Sequence, residues 1–156
     1  AGTGQGLFSP NRVLTRADFL VLAMRAYGIA PDPTYTENFD DAGNTYFTGY
    51  LAAAKRLGIA SGIGNNMYAP GREISRQDMF TLLYRALNTL GALPTATTGS
   101  AISHYTDAGQ VSDYAQTAMK TFVESGIVSG SDGKLNPDGR SSRAQMAQVL
   151  YMLLSK

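Results

Sequence analysis

Apolar positions recur along the chain with a helical period, in two kinds of segment. In the first kind, Phe47, Tyr50, Leu51, Ala54 and Leu57 share one face between Tyr46 and Leu57, and Gly58 stands ready as a stop. Tyr114, Ala118, Met119 and Phe122 repeat that pattern ahead of Gly126. The second kind opens at Thr15, Ser75 or Ser142. Its stripes are Phe19, Leu22, Ala23 and Ala26; Met79, Leu82, Leu83 and Ala86; and Met146, Val149, Leu150 and Leu153. At this spacing they read as faces turned to a core rather than as a ligand box. Between the segments, residues 28–34 contain two prolines and residues 91–103 are rich in Thr, Ala, Gly and Ser, as linkers are. The expected fold class is all-α.

The segments belong to a repeat. Gly2 to Pro10 and Gly62 to Pro70 agree in length and pattern at an offset of 60, and Gly130 to Pro137 is a third copy. In each, an Arg follows the Pro by six residues: Arg16, Arg76 and Arg143. The front of the unit occurs twice, as Phe39-Asp40-Asp41-Ala42-Gly43 and Tyr105-Thr106-Asp107-Ala108-Gly109. The divisions are 1–30 for the back half of a first unit, 38–91 for a second and 104–156 for a third. A unit this small cannot bury its own apolar face, so the three are expected to pack as one domain. The helix from Thr15 has no partner from its own unit. A complementary N-terminal fragment or a second chain is therefore expected to cover an open face there.

Composition narrows the functions. Lys plus Arg number 13 against 12 for Asp plus Glu. A general nucleic-acid binder would carry a cationic excess, so no nucleic-acid partner is expected and any anion recognition is local. No Cys is present, which excludes disulfides, thiol catalysis and thiolate metal sites. No apolar run is long enough to cross a bilayer, so no membrane partner is expected; no signal peptide is visible, and a mature or excised form is expected.

The candidate chemistry centres on the turn before each second helix. Thr15, Ser75 and Ser142 are N-cap residues, with Asp18, Asp78 and Gln145 three positions on, as in a capping box. Capping does not explain the Arg at the first helical position, where the macrodipole disfavours a cation. Free helix N–H groups beside a guanidinium would make an anion site. Alternatively, each Arg pairs with an acid of a neighbouring turn, such as Asp41 or Asp107. The spacing leaves both readings open. Residues 131–139 hint at a calcium loop, but Lys134 stands where an oxygen ligand is wanted and no Glu closes the loop, so no metal is expected. The glycines after Ala1 lack the Gly-Lys-Ser/Thr of a phosphate loop, and His104 is the only His. No cofactor is expected.

These spaced motifs resemble the S-layer homology family. They are Phe39/Asp41 and Tyr105/Asp107; Gly58/Ile59/Gly62 and Gly126/Ile127/Gly130; Phe8/Pro10, Tyr68/Pro70 and Leu135/Pro137; and the Thr-Arg-Ala-Glu-like helix starts. The resemblance covers nearly the whole chain. It implies a pseudo-threefold bundle with ligand grooves between units, secreted to a bacterial cell surface, cell wall or S-layer. The implied role is non-catalytic anchoring to an anionic, often pyruvylated, secondary cell-wall polysaccharide. The residues carried over are Arg16, Arg76 and Arg143 as anion contacts and Gly2, Gly62 and Gly130 for close sugar approach. Tyr46 and Tyr114 would be aromatic faces beside the groove. Gln145 departs from the family's acid, so the third motif is expected to be tuned differently. Rival readings are a protein-interaction module and a glycan hydrolase using Asp41 and Asp107. Those two occupy equivalent places, so the same structural job in each is expected.

Overall fold

A computed structural model of the chain describes residues 13–95, 101–128, 130, 132–140 and 142–155. Its regular elements are five α-helices: α1 (Arg16–Ala26), α2 (Thr48–Arg56), α3 (Arg76–Leu90), α4 (Gln116–Glu124) and α5 (Arg143–Leu154). Short 3-10 turns over Ile102–His104, Ala108–Gln110 and Asp113–Ala115 lead into α4. No sheet forms among the described residues, and the chain is all-α. None of the described helices is long and apolar enough to cross a membrane.

Helix ends follow the cap chemistry, with one difference. Thr15 Oγ1 and Ser75 Oγ accept from the N–H groups of Asp18 and Asp78, so these residues cap α1 and α3. Only Ser142 completes a reciprocal box, in which Gln145 Oε1 accepts from the Ser142 N–H at 2.9 Å. Asp18 and Asp78 do not fold back in this way; their carboxylates accept hydrogen bonds from other units. At the far end of α3, Gly91 closes the helix with φ +68°, which only a residue without Cβ adopts freely.

The three capped starts lie side by side and bind the units into a ring. Isolated antiparallel bridges join Thr15 to Glu73, Ser75 to Arg140 and Val13 to Ser142, so each unit meets the next and the third returns to the first. Two further bonds tighten each of the first two joins. Arg16 N–H donates to Arg72 O at 2.8 Å and Ala17 N–H to Pro70 O at 3.0 Å. Arg76 N–H donates to Gly139 O at 2.8 Å and Gln77 N–H to Pro137 O at 2.9 Å. Helix N-termini leave such donors unmet by their own helix, and here the next unit's turn supplies the acceptors.

The core sits inside this ring. Phe19, Leu20, Leu51, Met79, Leu83, Met119 and Phe122 are fully buried. The α3 stripe is buried in full, but α1 departs from its expected face: Leu20, Val21 and Met24 are buried while Ala26 is exposed. The reason is position, since α1 touches α2, α3 and α5 and is covered on several sides. The open apolar face expected on α1 is therefore closed. The large apolar side chains left exposed on the described helices are Leu90 on α3 and Tyr151 and Leu154 on α5.

Candidate functional site

Among the described residues, two grooves lie between consecutive units, each opening above a motif arginine. The first, about 440 Å³, is lined by Arg16, Gly62, Tyr68, Asp78, Arg85 and Tyr114 among others. The second, about 630 Å³, holds Arg76, Gly130, Lys134, Gln145 and Met152 at its walls. The expected residues are thus brought together pairwise: Arg16 with Gly62 and Tyr114, and Arg76 with Gly130. Gly2 lies outside the described residues. Arg143 starts α5 and lines neither groove, and Tyr46 reaches from the second unit to Asp18.

The elements that build each groove are held by the Asp of the front turn. Asp41 accepts from the N–H groups of Tyr68 and Ala69 at 2.9 and 2.8 Å. Asp107 accepts from those of Leu135 and Asn136, both at 2.8 Å. These bonds pin a turn that is otherwise costly, because Ala69 has φ +59° and Asn136 φ +52°. Burial would raise the Asp107 pKa, but backbone donors, joined by the charge of Lys134, outweigh it and hold the carboxyl below its usual range. Both carboxylates are consumed by the fold. Arg16 pairs with Asp78 rather than with Asp41 or Asp107, and neither of those carboxylates forms an ion pair with Arg76.

The glycines are also explained from within. A Cβ on Gly62 would lie 2.5 Å from Met67 O and 2.8 Å from the Phe39 ring. On Gly130 it would lie 2.7 Å from Lys134 O and 2.6 Å from the Tyr105 ring. Their φ angles, +81° and +68°, add a second reason for glycine. Each is the seat on which its own unit's front-turn aromatic rests, whatever occupies the groove.

The arginines answer the question left by helix position. Arg16 is almost buried, and its guanidinium reaches away from its own helix into the next unit. Nε donates to Tyr68 O at 2.8 Å, Nη1 to Asp78 Oδ2 at 2.8 Å, and the group lies 4.6 Å from the centre of the Tyr68 ring. Tyr114 donates to the other Asp78 oxygen at 2.5 Å. The result is a closed chain, Arg16 to Asp78 to Tyr114, with its charge already balanced. Tyr46 makes the corresponding bond to Asp18. Partial burial and the bond to Asp78 push the Tyr114 pKa up to about 12.

Arg76 differs. Its Nε donates to Leu135 O at 3.0 Å and it lies over Phe80, 5.6 Å from the ring centre. Gln145 occupies the place of Asp78 and is turned to its cap, so no carboxylate among the described residues forms an ion pair with Arg76. Burial lowers the Arg76 pKa, partly opposed by the charge of Asp107. Helix N–H groups contribute to neither site: the ring bonds and caps take them, so the anion site of free N–H groups does not form. Sequence reasoning missed Arg85, which faces the first groove and donates from Nη1 to Ser61 Oγ at 2.8 Å. The available signal was its spacing, seven residues after Asp78 and so on the same helix face.

Comparison with known proteins agrees with this architecture. The model of the S-layer homology domain matches residues 1–20, 38–80 and 104–147, together more than half of the chain. The chain is 32% identical over 160 residues to an endoglucanase of Bacillus sp. strain KSM-635, covering 99% of this chain and 16% of that protein. It is 30% identical over 151 residues to an amylopullulanase of Thermoanaerobacterium thermosulfurigenes, covering 96% and 8%. It is 26% identical over 149 residues to the S-layer protein sap of Bacillus anthracis, covering 96% and 18%. The chain spans less than a fifth of the length of each. The shared part is common to enzymes of different names and to an S-layer protein.

Proposed function

This chain belongs to the S-layer homology family, and from that premise we propose that it anchors a larger protein non-catalytically to an anionic glycan of the bacterial cell wall. The module is a cell-surface one, as the S-layer proteins among its relatives indicate. Its finer reading is that the ligand carries a carboxylate, as a pyruvylated sugar does, and that Arg76 receives it. The observation that carries this is the state of Arg76: a partly buried guanidinium in a groove of about 630 Å³, bonded to one carbonyl, while the Asp107 carboxylate of that groove is committed to backbone N–H groups. Two parallel N–H···O bonds from a guanidinium to a carboxylate are short and charge-assisted, which is why Arg suits this task.

Enzyme names among the relatives do not move the activity to this module. A domain that recurs beside different catalytic names fits delivery better than chemistry, and Asp41 and Asp107 are tied to backbone.

The test is calorimetry with a secondary cell-wall polymer before and after chemical removal of its acidic substituent. Affinity should fall at least tenfold on removal, since a charge-assisted contact contributes about 1.5–3 kcal/mol. Equal affinity for the neutral polymer would overturn the reading.

A further inference from the structure

We propose that the first groove takes the acidic group of its ligand at Arg85 rather than at Arg16, so that the two grooves hold one kind of acidic glycan in opposite directions. The inference rests on the reading that the ligand is acidic, and extends it to a site of different construction.

Arg16 is unsuited to a second carboxylate. Its Nε and Nη1 are already used by Tyr68 O and Asp78, and Tyr114 closes the other side of Asp78. An incoming carboxylate there would either displace Asp78 or lie beside it as a like charge. Asp78 and the Tyr114 hydroxyl instead suit ring hydroxyls, which donate and accept without net charge.

Arg85 stands at the other end of the same groove. It follows Asp78 by seven residues on α3, which places it on the same face about 10 Å further along the helix axis. It is half-buried, and its hydrogen bond among the described residues goes to the neutral Ser61 hydroxyl. Its four other N–H donors can meet a carboxylate without breaking an ion pair. Between the two ends lie Ile59, Ile63 and Leu82, an apolar floor for the C–H face of a sugar. In the second groove the arrangement is reversed. The position of Arg85 is taken by Met152, and the cation with no ion pair among the described residues is Arg76 at the helix start. The acidic end of the ligand therefore points toward the start of α3 in the second groove and toward its middle in the first.

Calorimetry with the methyl glycoside of a pyruvylated N-acetylhexosamine tests this, with the neutral parent glycoside as control. Wild type should bind two equivalents of the acidic glycoside. Arg85→Met, which installs the residue of the second groove at a half-exposed position, should bind one, as should Arg85→Gln. Gln145→Asp, which gives Arg76 a carboxylate, should remove the other equivalent. In NMR spectra of wild type, the Arg85 Nε–H signal should shift on titration, and the Arg16 Nε–H signal should stay. Two equivalents retained by folded Arg85→Met and Arg85→Gln, or a shift at Arg16 with none at Arg85, would overturn the inference while leaving the acidic-ligand reading intact. Equal binding of the neutral glycoside would instead overturn that reading, and this inference with it.

Discussion

The two grooves come from one repeat, share the same turn and the same glycine seat, and yet present opposite electrostatic states. Under Arg16, Asp78 closes an ion pair and Tyr114 locks it; under Arg76, Gln145 leaves the cation to a carbonyl and an aromatic face. One position, Asp78 against Gln145, decides between them. Asp78 is occupied by Arg16 and Tyr114 and does not return to its own cap, whereas Gln145, at the wall of the second groove, bonds back to Ser142. The same Arg is thus a structural cross-link in one place and an available cation in the other. A motif residue fixes where a guanidinium stands; its neighbour three positions into the following unit's helix fixes what that guanidinium does.

Breaking the closed pair should have the largest effect. Arg16 keeps 9% of its side-chain surface exposed and Asp78 24%. Removing Asp78 strands a nearly buried cation, a change that costs 3–5 kcal/mol in fully buried pairs. Because Asp78 is partly open to water, Asp78→Ala should destabilise by about 3 kcal/mol, and it also loses first-turn acid at the start of α3. Urea titration checks this. A loss below about 1 kcal/mol would mean that the pair behaves as a surface contact and that the contrast between the grooves is weaker than their geometry.

The converse exchange sharpens the contrast from the other side. Gln145→Asp should bring a carboxylate to Arg76 and reduce affinity for the acidic polymer at least tenfold at that groove. Stability should change by less than about 1 kcal/mol, since the reciprocal arm of the cap at Ser142 is lost while an ion pair is gained. Calorimetry and a thermal melt of the same sample separate the two quantities. Unchanged affinity would show that Arg76 is not the acid contact.

Much of this was legible before any coordinates. The repeat, the helix starts at Thr15, Ser75 and Ser142 and the buried face of α3 follow from spacing, because caps and apolar periods are local. The state of each Arg was not legible, because it depends on which turn of the next unit lies above it. Arg16 forms an ion pair with an acid 62 positions away and Arg76 forms none among the described residues, though their own sequences are alike. The buried face of α1 is legible only in part for the same reason: Phe19 and Ala23 are buried as their spacing predicts, but a helix packed from several sides also buries Leu20, Val21 and Met24. Arg85 was hidden in an apolar run, and only the groove opening beside Ser61 gives it a role. Gly62 and Gly130 line the two grooves as the resemblance implies, and internal packing against Phe39 and Tyr105 is a second reason for glycine that spacing does not show.

The smallest expected effect tests the lock on the closed pair, and its pH dependence carries the sign. Tyr114 is more than half exposed, and its phenol donates to Asp78. Partial burial and that bond raise its pKa from about 10 to about 12. A pKa raised on folding means that the folded state holds the proton more tightly than the unfolded chain. The contribution is fully present below pH 10 and is lost as pH rises toward 12. Tyr114→Phe should therefore cost under about 1 kcal/mol at pH 7, the range of an exposed hydrogen bond. It should also make the fall in stability between pH 10 and 12 shallower than in wild type. Tyr68 titrates near 12 as well, because of its burial, and it remains in the variant, so the slope diminishes without vanishing. Alkaline urea titrations of the two proteins give this difference directly. Parallel curves would show that the Tyr114 hydroxyl is solvated in solution, and the first groove would then be closed by the Arg16–Asp78 pair alone.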